Sequence, residues 1–165
     1  MIPSAGVGIV VLTNAAPSGS AKALGASFTD LVQFGMVMRD WFAAYTPIMA
    51  GLTAPAGDLV GKSPPATPAP AAKLSSYVGV YANPYFGSAE IADVSGHLEL
   101  KVGLSGKPYT LTHWDGDVFS VSPSSENQTD GSLSSVRFKQ VGKEPARELT
   151  IEYLDGNGLG LFLRR

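Results

Sequence analysis

From position 77 to the C-terminus the chain repeats one pattern, in which short segments of alternating apolar and polar residues are separated by turn-forming residues. Leu111-Thr-His-Trp-Asp-Gly-Asp-Val-Phe119 is its clearest unit, two alternating segments meeting across an Asp-Gly turn, which is a hairpin signature. The same reading along the chain gives eight strands, at 77–81, 88–94, 97–102, 109–114, 118–122, 134–140, 148–154 and 159–164. Turn signals separate them at Asn83-Pro84, Ser95-Gly96, Ser105-Gly-Lys-Pro108, Asp115-Gly116, the 124–132 loop and Asp155-Gly-Asn-Gly158. Leu98, Leu100 and Val102 oppose His97, Glu99 and Lys101, and Leu149, Ile151 and Tyr153 oppose Thr150 and Glu152. Strands with one apolar face must bury it. Eight in succession do so by closing into an up-and-down antiparallel barrel, which also removes exposed edges, although a two-sheet sandwich fits the same pattern. The fold class expected is therefore mainly β. An eight-stranded barrel is either filled by side chains or large enough for one small ligand.

The first 60 residues read differently. Gly6-Val-Gly-Ile-Val-Val-Leu-Thr13 is a continuous apolar, β-branched run, the pattern of a strand buried on both faces. Ser18 or Ser20 can cap a following helix, on which Leu24, Phe28, Leu31 and Val32 form one apolar face. Gly35 ends or kinks that helix before a second helical piece at 36–45 with Trp41 and Phe42. One strand and one apolar helix do not make a domain, so something outside them must cover them: the later domain, a second copy of the chain, or the body of a larger fold.

Between these parts the composition shifts to Ala, Pro, Gly and Lys around Ser63-Pro-Pro-Ala-Thr-Pro-Ala-Pro70, a semi-rigid, polyproline-like spacer. The organisation expected is a strand-helix segment at 1–52, a Pro/Ala-rich linker at 53–73 and a barrel domain at 74–165. A net charge of −2 with scattered basic residues gives no footprint for nucleic acid. No apolar run reaches the roughly 18–20 residues of a membrane span. The opening 16 residues faintly mimic a secretory signal, with small residues at Ala15-Ala16, but no Lys or Arg precedes Lys22, so no signal peptide is read and no compartment is assigned.

The chemistry sought in the sequence is largely missing from it. No Ser-x-x-Lys pair and no Gly-x-Ser-x-Gly elbow occurs, and with no cysteine there is no thiol nucleophile, so no catalytic residue is assigned. The two histidines, His97 and His113, are not in a His-x-x-x-His arrangement, so neither a metal site nor a cofactor is assigned. His113, Asp115 and Asp117 could meet at one hairpin end, yet the plainer reading has the aspartates forming the turn. Within the barrel, Tyr77, Tyr81, Tyr109, Trp114, Phe119 and Tyr153 are the candidates for lining a ligand cavity, with the alternative that they are ordinary core.

The strand at 6–14, the apolar helix with Asp40-Trp41, the proline-rich stretch, Tyr77-Val-Gly-Val-Tyr-Ala-Asn-Pro-Tyr-Phe-Gly87 and the 111–119 hairpin stand in an order that resembles a known family. It looks like the C-terminal end of serine hydrolases related to class C β-lactamases and penicillin-binding proteins, in the subgroup with a lipocalin-like C-terminal domain. The resemblance implies a lipocalin-like barrel preceded by the last strand and helix of a hydrolase domain. The family's catalytic serine, lysine and tyrosine match no residue here. The function expected is a non-catalytic accessory, binding or assembly module, whose partner is either an upstream hydrolase domain or a second copy meeting through residues 1–50. The alternatives are a stand-alone hydrolase using His113, Asp115 and Asp117, with or without a metal, and a barrel binding a small apolar ligand.

Overall fold

A computed structural model of the chain describes residues 1–14, 17–104, 106–125, 128–139, 141 and 144–165. The small residues at Ala15-Ala16, the start of the Ser105 turn, part of the 124–132 loop and the strand end at Gln140 thus lie outside the described residues. The chain divides into two compact units, Met1–Ala54 and Pro55–Arg165.

The second unit is a closed antiparallel barrel of eight strands in strictly sequential order: β1 (Gly79–Asn83), β2 (Gly87–Val94), β3 (His97–Val102), β4 (Pro108–Asp115), β5 (Val118–Val121), β6 (Ser134–Lys139), β7 (Glu148–Ile151) and β8 (Leu161–Arg164). The eight segments read from alternation are these eight strands, with ends moved by at most a few residues. The largest shift is at 152–154, where the expected strand turns instead into a 3-10 helix, Glu152–Leu154. Period-two burial fills the interior with Tyr81, Ile91, Leu98, Leu100, Phe119, Val136, Phe138, Leu149, Ile151 and Phe162. The β2–β3 turn places Ser95 and Gly96 at φ of 53° and 85°, the pair of positive values that a two-residue hairpin loop requires.

Seven of the eight strand pairings join neighbours in sequence, whereas the eighth, β1 with β8, rests on two residue pairs, Tyr81 with Arg164 and Ala82 with Leu163. Two polar side chains fasten this seam. Asn83 donates through Nδ2 to the carbonyls of Leu159 and Leu161 at 2.6 and 2.7 Å and accepts from the amides of Tyr85 and Phe86. Arg164 donates to the carbonyls of Ala146, Val78 and Ser76 and, at 2.7 Å, to the Tyr81 hydroxyl, over whose ring its guanidinium lies. A side chain at Gly79 would run into that guanidinium, so glycine makes the seat.

The Pro/Ala-rich stretch belongs to the second unit and is pinned to the barrel at two places. Near its start, Asp58 accepts from the Ser135 amide and hydroxyl, both at 2.8 Å, and pairs with Arg137 on β6. Backbone bonds from Leu59 to Leu133 and from Leu133 to Ala56 run alongside. Near its end, the Ala69 amide donates to Asp115 and the Gly116 amide donates to the Ala69 carbonyl. Residues 61–70 between these clips are exposed.

In the first unit, α1 (Ser20–Phe34) and α2 (Trp41–Ala50) pack together. Neither Ser18 nor Ser20 caps the backbone as expected. The N-cap is Gly19 at φ 80°, and the Ser18 hydroxyl makes only a long 3.4 Å bond to the Ser20 amide. Gly35 ends α1 in the left-handed conformation, as anticipated. The second helix starts at Trp41 rather than 36 because Asp40 caps it by accepting from the Ala43 amide. The buried Asp30 accepts from the Met38 amide and from Trp41 Nε1, tying α1 to the start of α2. The run 6–13 forms no strand. Among the described residues its only ladder contact is an isolated bridge between Ile2 and Val7, and Val10 and Leu12 are 84% and 89% exposed. A strand buried on both faces requires a neighbour on each side, and among the described residues this unit has no other strand to offer.

Two stability measurements check this account. Arg164→Met, which keeps the aliphatic stem and removes every donor, should lower the unfolding free energy by about 3 kcal/mol, read as a lower urea midpoint at unchanged slope. Asp58→Ala, which strands the buried Ser135 hydroxyl, should cost about 2 kcal/mol in the same assay.

Candidate functional site

The hairpin that joins β4 and β5 gathers His113, Asp115 and Asp117, and each of these side chains has a specific structural partner. His113 Nε2 lies 3.0 Å from the Gly116 carbonyl and its ring packs edge-on against Phe119. Asp115 accepts from the Ala69 amide at 2.7 Å. Asp117 accepts from the Tyr77 hydroxyl at 2.5 Å, and that hydroxyl in turn accepts from the Ala72 amide. The turn is thus the clip that holds residues 69–72 to the barrel. Among the described residues no three His, Asp or Glu side chains converge as metal ligands would.

The six aromatic candidates divide into two groups. Tyr77, Tyr81 and Phe119 are buried and pack around Phe138, with ring centroids 4.7 to 6.1 Å apart, so side chains occupy the space they enclose. Tyr109, Trp114 and Tyr153 are half-buried. Trp114 falls where the β4–β5 register shifts between His113 and Asp115. Tyr109 and Tyr153 are electrostatic neighbours, and the Tyr109 hydroxyl makes only a 3.5 Å contact with the Ser124 carbonyl. Burial raises the pKa of Tyr77, and the bond to Asp117 raises it further. Burial likewise raises Tyr81 against the opposing pull of Arg164. Tyr153 is pushed up to about 12 by burial and by Tyr109.

Most of the exposed large apolar side chains lie in the first unit. Leu24, Leu31, Phe34, Met36, Met38, Phe42 and Ile48 are all exposed, and Leu24, Val37, Trp41 and Phe42 line a groove of about 440 Å³ beside Arg39 and Asp40. With the bare 6–13 run this makes more unburied apolar side chains than the scattered singles of an ordinary surface. Sequence reasoning identified the apolar helix but not Asp58, Asn83 or Arg164. Asn83 was legible only as a turn residue, and Asp58 carried the signal of being the single charged residue between Asp40 and Lys62.

With the barrel and its strap described, comparison with known proteins becomes specific. The family model described as "Domain of unknown function (DUF3471)" matches residues 63–156, more than half of the chain. The chain belongs to the DUF3471 family. It is also similar to the crystal structure of the C-terminal domain of penicillin binding protein Rv0907, at 44% sequence identity and a TM-score of 0.56, covering 64% of this chain and 97% of that one. No curated protein matches the chain. The family resemblance read in the sequence is thus supported at the level of a penicillin-binding-protein C-terminal domain. The matched DUF3471 residues include most of the exposed part of the strap as well as the barrel through Gly156.

The three raised tyrosines set an alkaline limit on stability. Their ionised form is disfavoured in the fold, whereas tyrosines of the unfolded chain ionise near pH 10. The stabilisation is fully present below about pH 10 and falls as pH rises through about 12. A urea midpoint that is flat to about pH 9.5 and then declines is expected, with tyrosinate absorbance appearing together with unfolding. Tyr153→Phe should make the decline shallower.

Proposed function

We propose that this chain is a non-catalytic accessory module of a β-lactamase-like serine hydrolase, carrying the hydrolase domain's last strand and helices in residues 1–54 and the DUF3471 barrel in residues 55–165. The observation that carries the reading is the 44% identity to the C-terminal domain of a penicillin-binding protein, extending over 97% of that domain. Two features of the chain agree with it. No Ser-x-x-Lys nucleophile is present in the sequence. The 6–13 run has strand composition, free backbone edges and no sheet, which suits a segment whose neighbours are strands of a catalytic domain. Apolar faces on α1 and α2 would close over such a sheet in the manner of a layered α/β domain.

On this reading the module docks its first unit against an upstream hydrolase domain. In the absence of that domain, a second copy of the chain offers the same exposed strand edge, so the isolated protein pairs through residues 1–50.

Light scattering tests both parts. The full chain should run at twice its 17.2 kDa mass, residues 55–165 alone as a monomer, and Val10→Lys should shift the full chain to a monomer. A full chain that is monomeric overturns the pairing. Purified protein should not turn over β-lactam or ester substrates above background; turnover retained through purification would overturn the accessory reading.

A further inference from the structure

The strap, the loop leading into β6 and the segment after β7 line a small cavity that the hydrolase reading does not use. It has about 160 Å³ and is walled by Ala56 and Gly57 of the strap, Ser134 at the start of β6, Gln128 of the preceding loop, and Glu152, Tyr153 and Gly156 after β7. Its volume corresponds to a cluster of about five waters, or to a molecule of comparable size, at about 30 Å³ per water.

The polar groups in this wall are only partly satisfied. Ser132, Ser134 and Ser135 are all buried, and two of the three have partners: Ser132 Oγ accepts from the Ala56 amide, and Ser135 Oγ donates to Asp58. Ser134 is fully buried, and its Oγ is the one buried side-chain polar atom among the described residues without a hydrogen-bond partner. Orphaned hydroxyls of this kind are uncommon and costly, so each calls for a reason. Glu152 receives one long bond, 3.2 Å from the Asp58 amide. Gln128 has its carbonyl oxygen engaged by the Ser125 hydroxyl, which leaves the amide hydrogens to donate. The Tyr153 hydroxyl remains protonated to about pH 12, so it too is a donor. Gly57 keeps the strap close: a side chain there would press on the Leu133 carbonyl and come within 2.7 Å of Ser134 Oγ.

We propose that this cavity binds a small uncharged polyol through two adjacent hydroxyls. The wall contains a carboxylate and no Lys, Arg or His, which disfavours an anion. An ammonium ion could answer Glu152 but has no acceptor for the Tyr153 hydroxyl and the Gln128 amide. A hydroxyl both donates and accepts. Two neighbouring hydroxyls can donate to Glu152 while accepting from Gln128 and Tyr153, and the Ser134 hydroxyl, which no bond holds in its buried position, turns toward them to complete the set. The inference does not depend on the hydrolase reading, because every residue in it belongs to the barrel and its strap.

The test is an amide chemical-shift titration of the full ¹⁵N-labelled chain with glycerol, and separately with ethylammonium and acetate. Glycerol should give saturable shifts at Gly57, Asp58, Ser134 and Gly156, while the two ions leave these amides unmoved. Ser134→Ala and Glu152→Gln should each weaken glycerol binding at least tenfold. Because the Ser134 hydroxyl has no partner in the fold, Ser134→Ala should leave the melting temperature unchanged or raise it. Non-saturable glycerol shifts, equal response to either ion, binding that survives both substitutions, or a clear loss of stability in Ser134→Ala would each overturn the assignment.

Discussion

Closure of the barrel depends on a cation held by carbonyl oxygens. The Arg164 guanidinium sits among the main-chain oxygens of Ser76, Val78 and Ala146 and the Tyr81 hydroxyl, and among the described residues it has no acidic partner. A buried ion pair at this place would bring its own desolvation cost. Carbonyl dipoles instead satisfy the fork of donors while carrying no net charge, and planar geometry lets the same group stack on the Tyr81 ring. Lysine could not reproduce this, since its ammonium is a point donor. The arrangement links three things at once: the 3-10 turn Leu74–Ser76 ahead of β1, the loop before β7, and β8 itself. With only two residue pairs in the β1–β8 ladder, these side-chain bonds hold much of the seam together.

The two units differ in how far their sequences satisfy themselves. The barrel buries its apolar residues, fastens its seam and has its strap clipped down by Asp58 and Asp115. In the first unit, Asp30 organises α1 and α2 locally, yet the larger apolar side chains face outward and the β-branched run has no ladder. The two helices support each other by packing together and through Asp30, but burying their outward faces needs a surface the described residues of the unit do not contain. That asymmetry is the physical content of the accessory-module reading.

How much of this was legible in the sequence follows from which forces act locally. The strands were legible because period-two alternation reports burial directly, and the Ser95-Gly96 and Asp115-Gly116 turns because their backbone requirements favour particular residues. The start of α2 lies beyond the expected position because the cap at Asp40, and not the apolar residues before it, sets where the helix begins. Arg164 was illegible for a different reason. Leu161-Phe-Leu-Arg164 has apolar residues on both faces, so alternation leaves the phase open, and the structure turns Phe162 inward and the two leucines outward. The role of the proline-rich stretch was hidden as well: its composition reports stiffness, while its attachment depends on partners 46 and 77 residues away. The Asp115-Gly-Asp117 turn was correctly placed, but the strap it grips could not be inferred from it.

The strictly sequential strand order also dictates how the barrel can assemble. Seven pairings can zip up between neighbours, each closing a short loop, whereas the last must bring together residues such as Tyr81 and Arg164, 83 positions apart. The entropy of closing a loop of that length is on the order of 4 kcal/mol, and it is recovered only when Arg164 and Asn83 find their carbonyls together. Until then the sheet is an open ribbon with two bare edges, β1 and β8. A nascent or damaged chain caught in that state exposes pairing surface at both ends, so the final four-residue strand separates a closed barrel from an aggregation template.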